Sequence, residues 1–293
     1  MKLVSEILKH PANQCSPVSR LTRAVYWQLY KKLTGEAKDI SYHGLTLRCY
    51  PNNHSASRAI YFSELPDYRE MRFILDYLRP GDKFIDAGAN IGLYTLLALS
   101  VVESTGHVHA FEPNRETANR LLETLRLNLV NNVTVDQMGL SDASGTVDFN
   151  LTQDDCTAHI SACPSSSTSG SMIDVVRLDE HLDDSQYAMA KFDIEGYEPF
   201  AIRGMCRWLR NGNPPVMQIE AAGYSKRYGV STEEIIAELH GFGYFTAVYC
   251  PDNYSLQRTN CPWKIPADNI LAISEKYESF VMQRLSQQQH GKL

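Results

Sequence analysis

No stretch of the 293 residues stays apolar for the length a membrane span needs, and the opening Met1-Lys2-Leu3-Val4-Ser5-Glu6 has no long apolar core. A transmembrane protein and a secretory leader are therefore not expected, and the expected location is the cytoplasm. Seven cysteines are scattered without a Cys-x-x-Cys pair. That argues against a disulfide framework or a zinc site and fits a reducing compartment. Glycosylation triplets begin at Asn53, Asn132, Asn150 and Asn253, but with no secretory route they read as chance. Positive charge is short as well: 28 Lys and Arg face 34 Asp and Glu, for a net charge of −6. That balance argues against a nucleic-acid backbone as the main partner, a local basic patch apart, and nucleic acid is not an expected partner. No internal repeat is present. The length suits one large α/β domain with an appended segment.

The chain is organised around Gly81-Asp82-Lys83-Phe84-Ile85-Asp86-Ala87-Gly88-Ala89-Asn90-Ile91-Gly92-Leu93-Tyr94. Pro80-Gly81 is a turn signal that launches a short buried strand, and Asp86 ends that strand. Gly88 and Gly92 let the backbone turn tightly and let a ligand approach it. The nearly all-apolar run from Ile91 to Val102 is a helix packed on a sheet. Strand, glycine turn and helix amino end together make a nucleotide-like cofactor site. The dinucleotide fingerprint wants Gly-x-Gly-x-x-Gly, whereas Asn90 stands where pyrophosphate needs bare backbone and the Asp86 charge would repel it. An acid at the strand tip suits a ligand with a positively charged amino group, such as S-adenosylmethionine.

Before this stretch, residues 1–65 read as an extension: helices broken at Pro11 and Pro17, then a hairpin over 41–62. In the helix around Leu21, Val25, Tyr26 and Leu29, an edge-covering amphipathic face is expected over a membrane-surface or partner helix. Residues 67–79 form a helix whose amino end is expected near the cofactor loop, where Glu70 reads as a solvated helix residue or one that sees the cofactor. The second strand, His107 to Phe111, ends in Glu112-Pro113-Asn114, and its acid can accept from both ribose hydroxyls of an adenosine. His107 and His109 alternate with apolar neighbours and read as packed or solvent-facing strand histidines, since no third metal ligand follows. The third strand, Val133 to Met138, leads to Gly139-Leu140-Ser141-Asp142, where Leu140 can wall a base. A hairpin at Gly145 to Asn150 and a Ser/Thr-rich lid from Cys156 to Ser171 follow.

The fourth strand carries the chemistry in Lys191-Phe192-Asp193-Ile194-Glu195-Gly196-Tyr197-Glu198. Ligands of open parallel sheets bind at the carboxyl edge, and here three carboxylates cluster at that edge. Asp193 and Glu195 share a face if the strand continues; Glu195 and Glu198 meet if a helix starts at Gly196. Asn213-Pro214-Pro215 is not read as a catalytic loop, because it precedes the fifth strand (Val216 to Glu220) and lacks a following aromatic. Two further strands, Phe245 to Tyr249 and Asn269 to Ile273, complete the sheet. The cofactor-binding domain is thus expected over 66–275, with a polar tail over 276–293.

In that order, Asp86-Ala87-Gly88-Ala89-Asn90-Ile91-Gly92, Ala110-Phe111-Glu112-Pro113-Asn114, Leu140-Ser141-Asp142 and Lys191 to Glu198 resemble the FkbM family of S-adenosylmethionine-dependent methyltransferases, across about residues 66–250. Phe192 departs from the pattern, which has an aliphatic residue there. The resemblance implies an α/β class I methyltransferase fold: a Rossmann-like, seven-stranded, mostly parallel sheet with helices on both faces and a reversed last strand. It implies transfer to a hydroxyl oxygen of a small-molecule or glycan acceptor, a sugar or natural-product type. By resemblance Gly88, Ala89, Asn90 and Gly92 line the methionine end of S-adenosylmethionine. Asp86 would reach its amino group directly or through water, Tyr94 and Thr95 its carboxylate, Glu112 and Pro113 its ribose, and Leu140 and Asp142 its adenine. Asp193 is the first candidate for the base and also borders the cofactor; Glu195 is the second. A divalent metal on Asp193, Glu195 and Glu198 is possible, and none is assigned. An inactive cofactor-binding scaffold and a nicotinamide-dependent oxidoreductase are the alternatives.

Overall fold

The computed structural model describes residues 2–150, 158–161, 171–261 and 269–290. Helices α1 (Lys2–Lys9) and α2 (Pro17–Thr34) precede a hairpin of β1 (Lys38–Tyr42) and β2 (Leu45–Cys49), and then helix α3 (His54–Tyr61). Strands and helices next alternate: α4 (Tyr68–Tyr77), β3 (Lys83–Ala87), α5 (Leu93–Val102), β4 (His107–Phe111), α6 (Arg115–Asn128) and β5 (Val133–Asp136). Four short strands follow, β6 (Gly139–Leu140), β7 (Gly145–Asn150), β8 (His159–Ile160) and β9 (Ser171–Val176). After α7 (Leu178–His181) come β10 (Met189–Phe192), α8 (Glu198–Arg203), α9 (Cys206–Leu209), β11 (Val216–Glu220) and α10 (Thr232–Gly241). The chain closes with β12 (Tyr244–Cys250), β13 (Ser255–Arg258), β14 (Asn269–Ser274) and α11 (Glu278–His290).

The central sheet runs β13-β12-β14-β11-β10-β3-β4-β5. Pairing is parallel from β5 through β11, and β14 runs antiparallel between β11 and β12. This is the expected sheet with its reversed last strand, widened to eight by β13, which pairs antiparallel with β12. The chain leaves β3 toward β4 on one side and returns at β10 on the other. Such a reversal of strand order opens a crevice at the strands' carboxyl ends. β6 to β9 form a separate four-stranded sheet, so the third central strand stops at Asp136 and Gly139-Leu140 turns away into that second sheet.

The expected hairpin over 41–62 is shorter and lies earlier, at 38–49. Residues 54–61 are helical because Asn53 caps them, its Oδ1 accepting from the Ala56 N–H at 2.6 Å, and because Ala56, Ala59 and Ile60 bury one helical face. Residues 278–290, expected within a polar tail, form α11, which buries Val281 and Leu285 against α4. Most of the expected lid lies outside the described residues; 158–161 are described, and β8 pairs with β7. His107 and His109 are packed strand histidines, His109 Nδ1 lying 2.7 Å from the Tyr187 hydroxyl. One face of the sheet packs in a core that includes Ile7, Trp27, Phe84 and Leu96; the other packs in a core of Phe192, Met205, Trp208 and Ile236. Between them runs an unusual row. Asp86, Lys191 and Gln218 stand in register across β3, β10 and β11, all within 2% of full burial.

Candidate active site

A cavity of about 460 Å³ opens at the carboxyl ends of β3, β4, β10 and β11, inside the roughly 300–1,000 Å³ range of small-molecule sites. Ala87, Gly88, Ala89 and Asn90 line one side with Tyr94; Glu112 and Pro113 follow, then Leu140, Asp193 and Glu195. The glycine loop is held by the neighbouring strand, since the N–H groups of Gly88 and Ala89 both donate to the Phe111 carbonyl at 3.0 Å. Gly88 has φ +79°, and a Cβ there would collide with the Asp193 carbonyl oxygen, so the loops after β3 and β10 lie backbone to backbone. Asn90 and Glu195 are the two cavity residues forced into the left-handed region without being glycine, at φ 50° and 58°. Such a conformation is uncommon outside glycine and clusters at functional sites.

Glu112 is 7% exposed, and its two oxygens accept from the Asn90 and Asn114 N–H groups, each at 2.9 Å. Its carboxylate is thereby fixed at the cavity wall. Of the other residues expected here, Asp86, Gly92, Thr95 and Asp142 are not among those lining the cavity. Asp86 is fully buried; its Oδ2 accepts from the Thr95 hydroxyl at 2.6 Å and its Oδ1 lies 3.9 Å from Lys191 Nζ. Burial raises the Asp86 pKa, and the Lys191 charge opposes that rise. Gly92 is the N-cap of α5, packed so that a Cβ would meet Leu121 at 2.5 Å. Asp142 is exposed beyond Leu140.

Lys191 is the residue whose role sequence reasoning missed. It is 2% exposed, yet it lines the cavity, with Nζ 3.1 Å from Asp193 Oδ2 and 4.3 Å above the Tyr94 ring. Burial lowers its pKa, but the charges of Asp193 and Asp86 outweigh this and the net shift is upward. A lysine in the middle of Ala188-Met189-Ala190-Lys191-Phe192 was the available signal, because lysine is almost never fully buried unless paired. Also missed were Asp67 and Arg58. Arg58 Nη2 donates to Asp67 Oδ1 at 2.7 Å, and the Tyr94 hydroxyl donates to Asp67 Oδ2 at 3.1 Å. That chain of contacts ties α3 to the lysine.

The third carboxylate of the cluster is Glu220 rather than Glu198. One oxygen each from Asp193, Glu195 and Glu220 lies within 4.8 Å of the others. Glu198 is instead 1% exposed and outside the lining; its Oε1 accepts from the N–H groups of Ile194 at 2.9 Å and Gly196 at 3.2 Å, bracing the loop. Burial, then the Asp193 charge, lifts the Glu195 carboxyl to about 7. Glu220 is pushed up further, first by burial and then by the charges of Asp193, Glu198 and Glu195. Acids so close must share a proton or a cation. The lining holds Asp67, Glu112, Asp193, Glu195 and Glu220 against Arg58 and Lys191, which suits a cationic ligand and repels a phosphate. Apolar Phe111, Met138 and Leu140, which pack in one cluster, and Phe149 and Ile160, which pack in another, also line the cavity and offer apolar surface to a flat ring.

The strand order, the glycine loop and the acidic strand tips define a class I methyltransferase fold. Residues 86–246, over half the chain, match the family model described as the methyltransferase FkbM domain, and the chain belongs to that family. It is similar to the hexuronic acid methyltransferase AglP of Haloferax volcanii, 28% identical over 155 residues that make up 52% of this chain. Those residues span only 61% of that relative's length. Among solved structures, an S-adenosylmethionine-dependent O-methyltransferase from Thermotoga maritima is 15% identical, covers 71% of this chain and 64% of its own, and has a TM-score of 0.40. A precorrin-6y C5,15-methyltransferase from Geobacter metallireducens is 14% identical, with 72% and 89% covered and a TM-score of 0.42.

Proposed function

We propose that this chain transfers a methyl group from S-adenosylmethionine to a hydroxyl oxygen of a sugar acceptor. What carries the reading is the cavity's acid-rich lining: five carboxyl groups, with Glu195 and Glu220 held toward their protonated forms, face one space with a glycine-loop backbone, and Glu112 is fixed by two amides. These residues fit the donor. An acceptor-only carboxylate suits ribose hydroxyls, the apolar surface suits adenine, and the acidic wall suits the ammonium and sulfonium charges. Asp86 would act from beneath, through Lys191 and Thr95, rather than by direct contact. The donor, when bound, supplies an electrophilic methyl group on sulfur. The sugar assignment is favoured by the hexuronic acid relative.

Most of the rate would come from aligning the acceptor oxygen in a dry site, where effective molarity is worth roughly 7–11 kcal/mol. We assign the base to Glu195 ahead of Asp193, whose oxygen is engaged by Lys191. Glu195 would take the hydroxyl proton as the new O–C bond forms, with the protonated Glu220 beside it keeping a second charge off the pair. A metal bound by Asp193, Glu195 and Glu220 is the competing use of the same oxygens. Chelation separates the two: activity should survive EDTA, and loss restored by magnesium would give the cluster to a cation.

Calorimetry with S-adenosylmethionine tests the reading. Glu112→Ala removes an ionised acceptor whose hydrogen bonds contribute about 1.5–3 kcal/mol each, so affinity should fall at least ~10-fold. Unchanged affinity in that variant, or binding of NADH in place of the methyl donor, would overturn the site. Tight donor binding with no methyl transfer to any hexuronic acid or other sugar would leave a binding protein instead.

A further inference from the structure

We propose that the outer face of α2 docks on an anionic lipid surface. Val18, Val25, Leu29 and Leu33 are 70, 53, 55 and 81% exposed. Their spacing of seven, four and four residues puts them on one stripe of the helix. The opposite side is the one that packs, through Ala24 and Trp27. α1 adds Leu3, Val4 and Leu8, each about 40% exposed. Among the described residues no other segment gathers as many exposed large apolar side chains. A solvated cover helix would show polar residues there, so the expectation of a simple edge-covering face does not account for this stripe.

Charge identifies the partner. α2 holds Arg20, Arg23, Lys31 and Lys32 and no acid. Lys32 is exposed, seven residues after Val25 and three after Leu29, and so flanks the stripe. Residues 1–34 hold six Lys and Arg and one Glu, a net +5, so the rest of the chain carries −11. A basic, apolar helix on an acidic body matches the negative headgroups and acyl boundary of a bilayer. A second copy seated on the same face would bring basic side chains against basic ones with no acid on α2 to pair them. The buried side of α2 also leads to the cavity. Trp27 Nε1 donates to Ser57 Oγ on α3 at 3.0 Å, and Ser55 and Arg58 of that helix line the cavity. Docking would therefore leave only α2 between the lipid and the α3 wall of the site. The surface lies outside the methyl-transfer site and does not depend on the reading given for it.

Co-sedimentation of the full chain with vesicles tests this, comparing phosphatidylcholine alone with an equal mixture of phosphatidylcholine and phosphatidylglycerol. The anionic vesicles should bind at least ~10-fold more protein. Binding should weaken as salt shortens the screening length from about 10 Å at 0.1 M to about 3 Å at 1 M. The double variant Leu29→Asp, Leu33→Asp should lose vesicle binding while staying folded with a small fall in Tm, because Leu29 and Leu33 are 55 and 81% exposed and acids are unfavourable at a helix carboxyl end. Lys31→Glu with Lys32→Glu should weaken binding to anionic vesicles only. Equal binding to both vesicle types, or full binding by the Leu29→Asp, Leu33→Asp variant, would overturn the proposal. So would a dimer in sedimentation velocity that this double variant dissociates, with no vesicle binding by the parent.

Discussion

Two glutamates three residues apart illustrate how position decides chemistry. Glu195 projects into the cavity from a left-handed backbone and has its carboxyl lifted to about 7 by burial and the Asp193 charge. As a base it works only when deprotonated. Turnover should therefore rise with pH through about 7, and Glu195→Gln should cost roughly 10²–10⁴ in kcat and remove that limb. A pH–rate profile checks both points; a variant that keeps the limb would remove Glu195 as the base. Glu198 is likewise lifted from 4.5 to about 7, by burial, but it faces backbone amides rather than the cavity. A raised carboxyl pKa means that the folded state keeps a proton the unfolded chain has released. The stability it contributes is complete below about 4.5 and declines as pH climbs through about 7. Glu198→Gln keeps the acceptor oxygen and removes the charge. Its Tm should fall less than the parent's between about pH 5 and pH 8, and at the alkaline end should be higher by about 2–4 °C for each kcal/mol recovered. An equal fall in Tm for both proteins would show that Glu198 titrates normally.

At the scale of elements, the site is a stack of three loops held at van der Waals distance by glycine. Gly88 after β3 abuts the Asp193 backbone after β10, and at Gly196 a Cβ would meet the Tyr224 backbone, after β11, at 2.5 Å. Both glycines have positive φ, at +79° and +94°. Gly88→Ala should therefore displace the very loop that carries Asp193 and Glu195. We expect a loss of about 1–3 kcal/mol in stability together with lost donor affinity. Gly145→Ala, where nothing lies within 4 Å and φ is not positive, should change neither. Thermal melts and calorimetry on the pair decide it, and a silent Gly88→Ala would mean that the loops are not coupled. The same stack explains what could be read beforehand. Asp86, Glu112 and Asp193 each end a local apolar run, so a strand tip betrays them without any knowledge of neighbours. Lys191 and Glu220 acquire their meaning from register: Lys191 stands opposite Asp86 on one side and Gln218 on the other, and Asn269 stands opposite Glu220. Register between strands that are not neighbours in the chain is set by the packing of the whole sheet. Glu198 was misread for a related reason, since only the folded loop shows its carboxylate turned back onto Ile194 and Gly196. Residues 54–61 misled because Ile60-Tyr61-Phe62 carries strand-type side chains, whereas the Asn53 cap and tertiary burial select a helix.

For the molecule as a whole, the question is whether residues 1–65 are an appendage or part of the domain. Three contacts bear on it. Ile7, Trp27, Tyr42 and Leu47 belong to the same buried cluster as Phe84 and Val108 of the central sheet and Leu96 of α5. Asn128 on α6 clamps β2 from both sides, its Oδ1 accepting from the Thr46 N–H at 2.6 Å and its Nδ2 donating to the Thr46 carbonyl at 2.7 Å. Arg58 on α3 reaches Asp67, which orients Tyr94 beneath Lys191. A shared core and shared polar contacts make unfolding of one part expose the other, which is the condition for a single cooperative transition. The tryptophans offer a direct probe, because Trp27 lies in the amino-terminal segment and Trp208 in the core on the far face of the sheet. In two variants that retain only Trp27 or only Trp208, the other tryptophans replaced by phenylalanine, urea curves followed by fluorescence should each coincide with the curve of the same variant followed by far-UV circular dichroism. A Trp27 curve that runs ahead of the dichroism would make residues 1–65 a separately melting segment, and the wall that α3 lends the cavity would then be lost before the sheet.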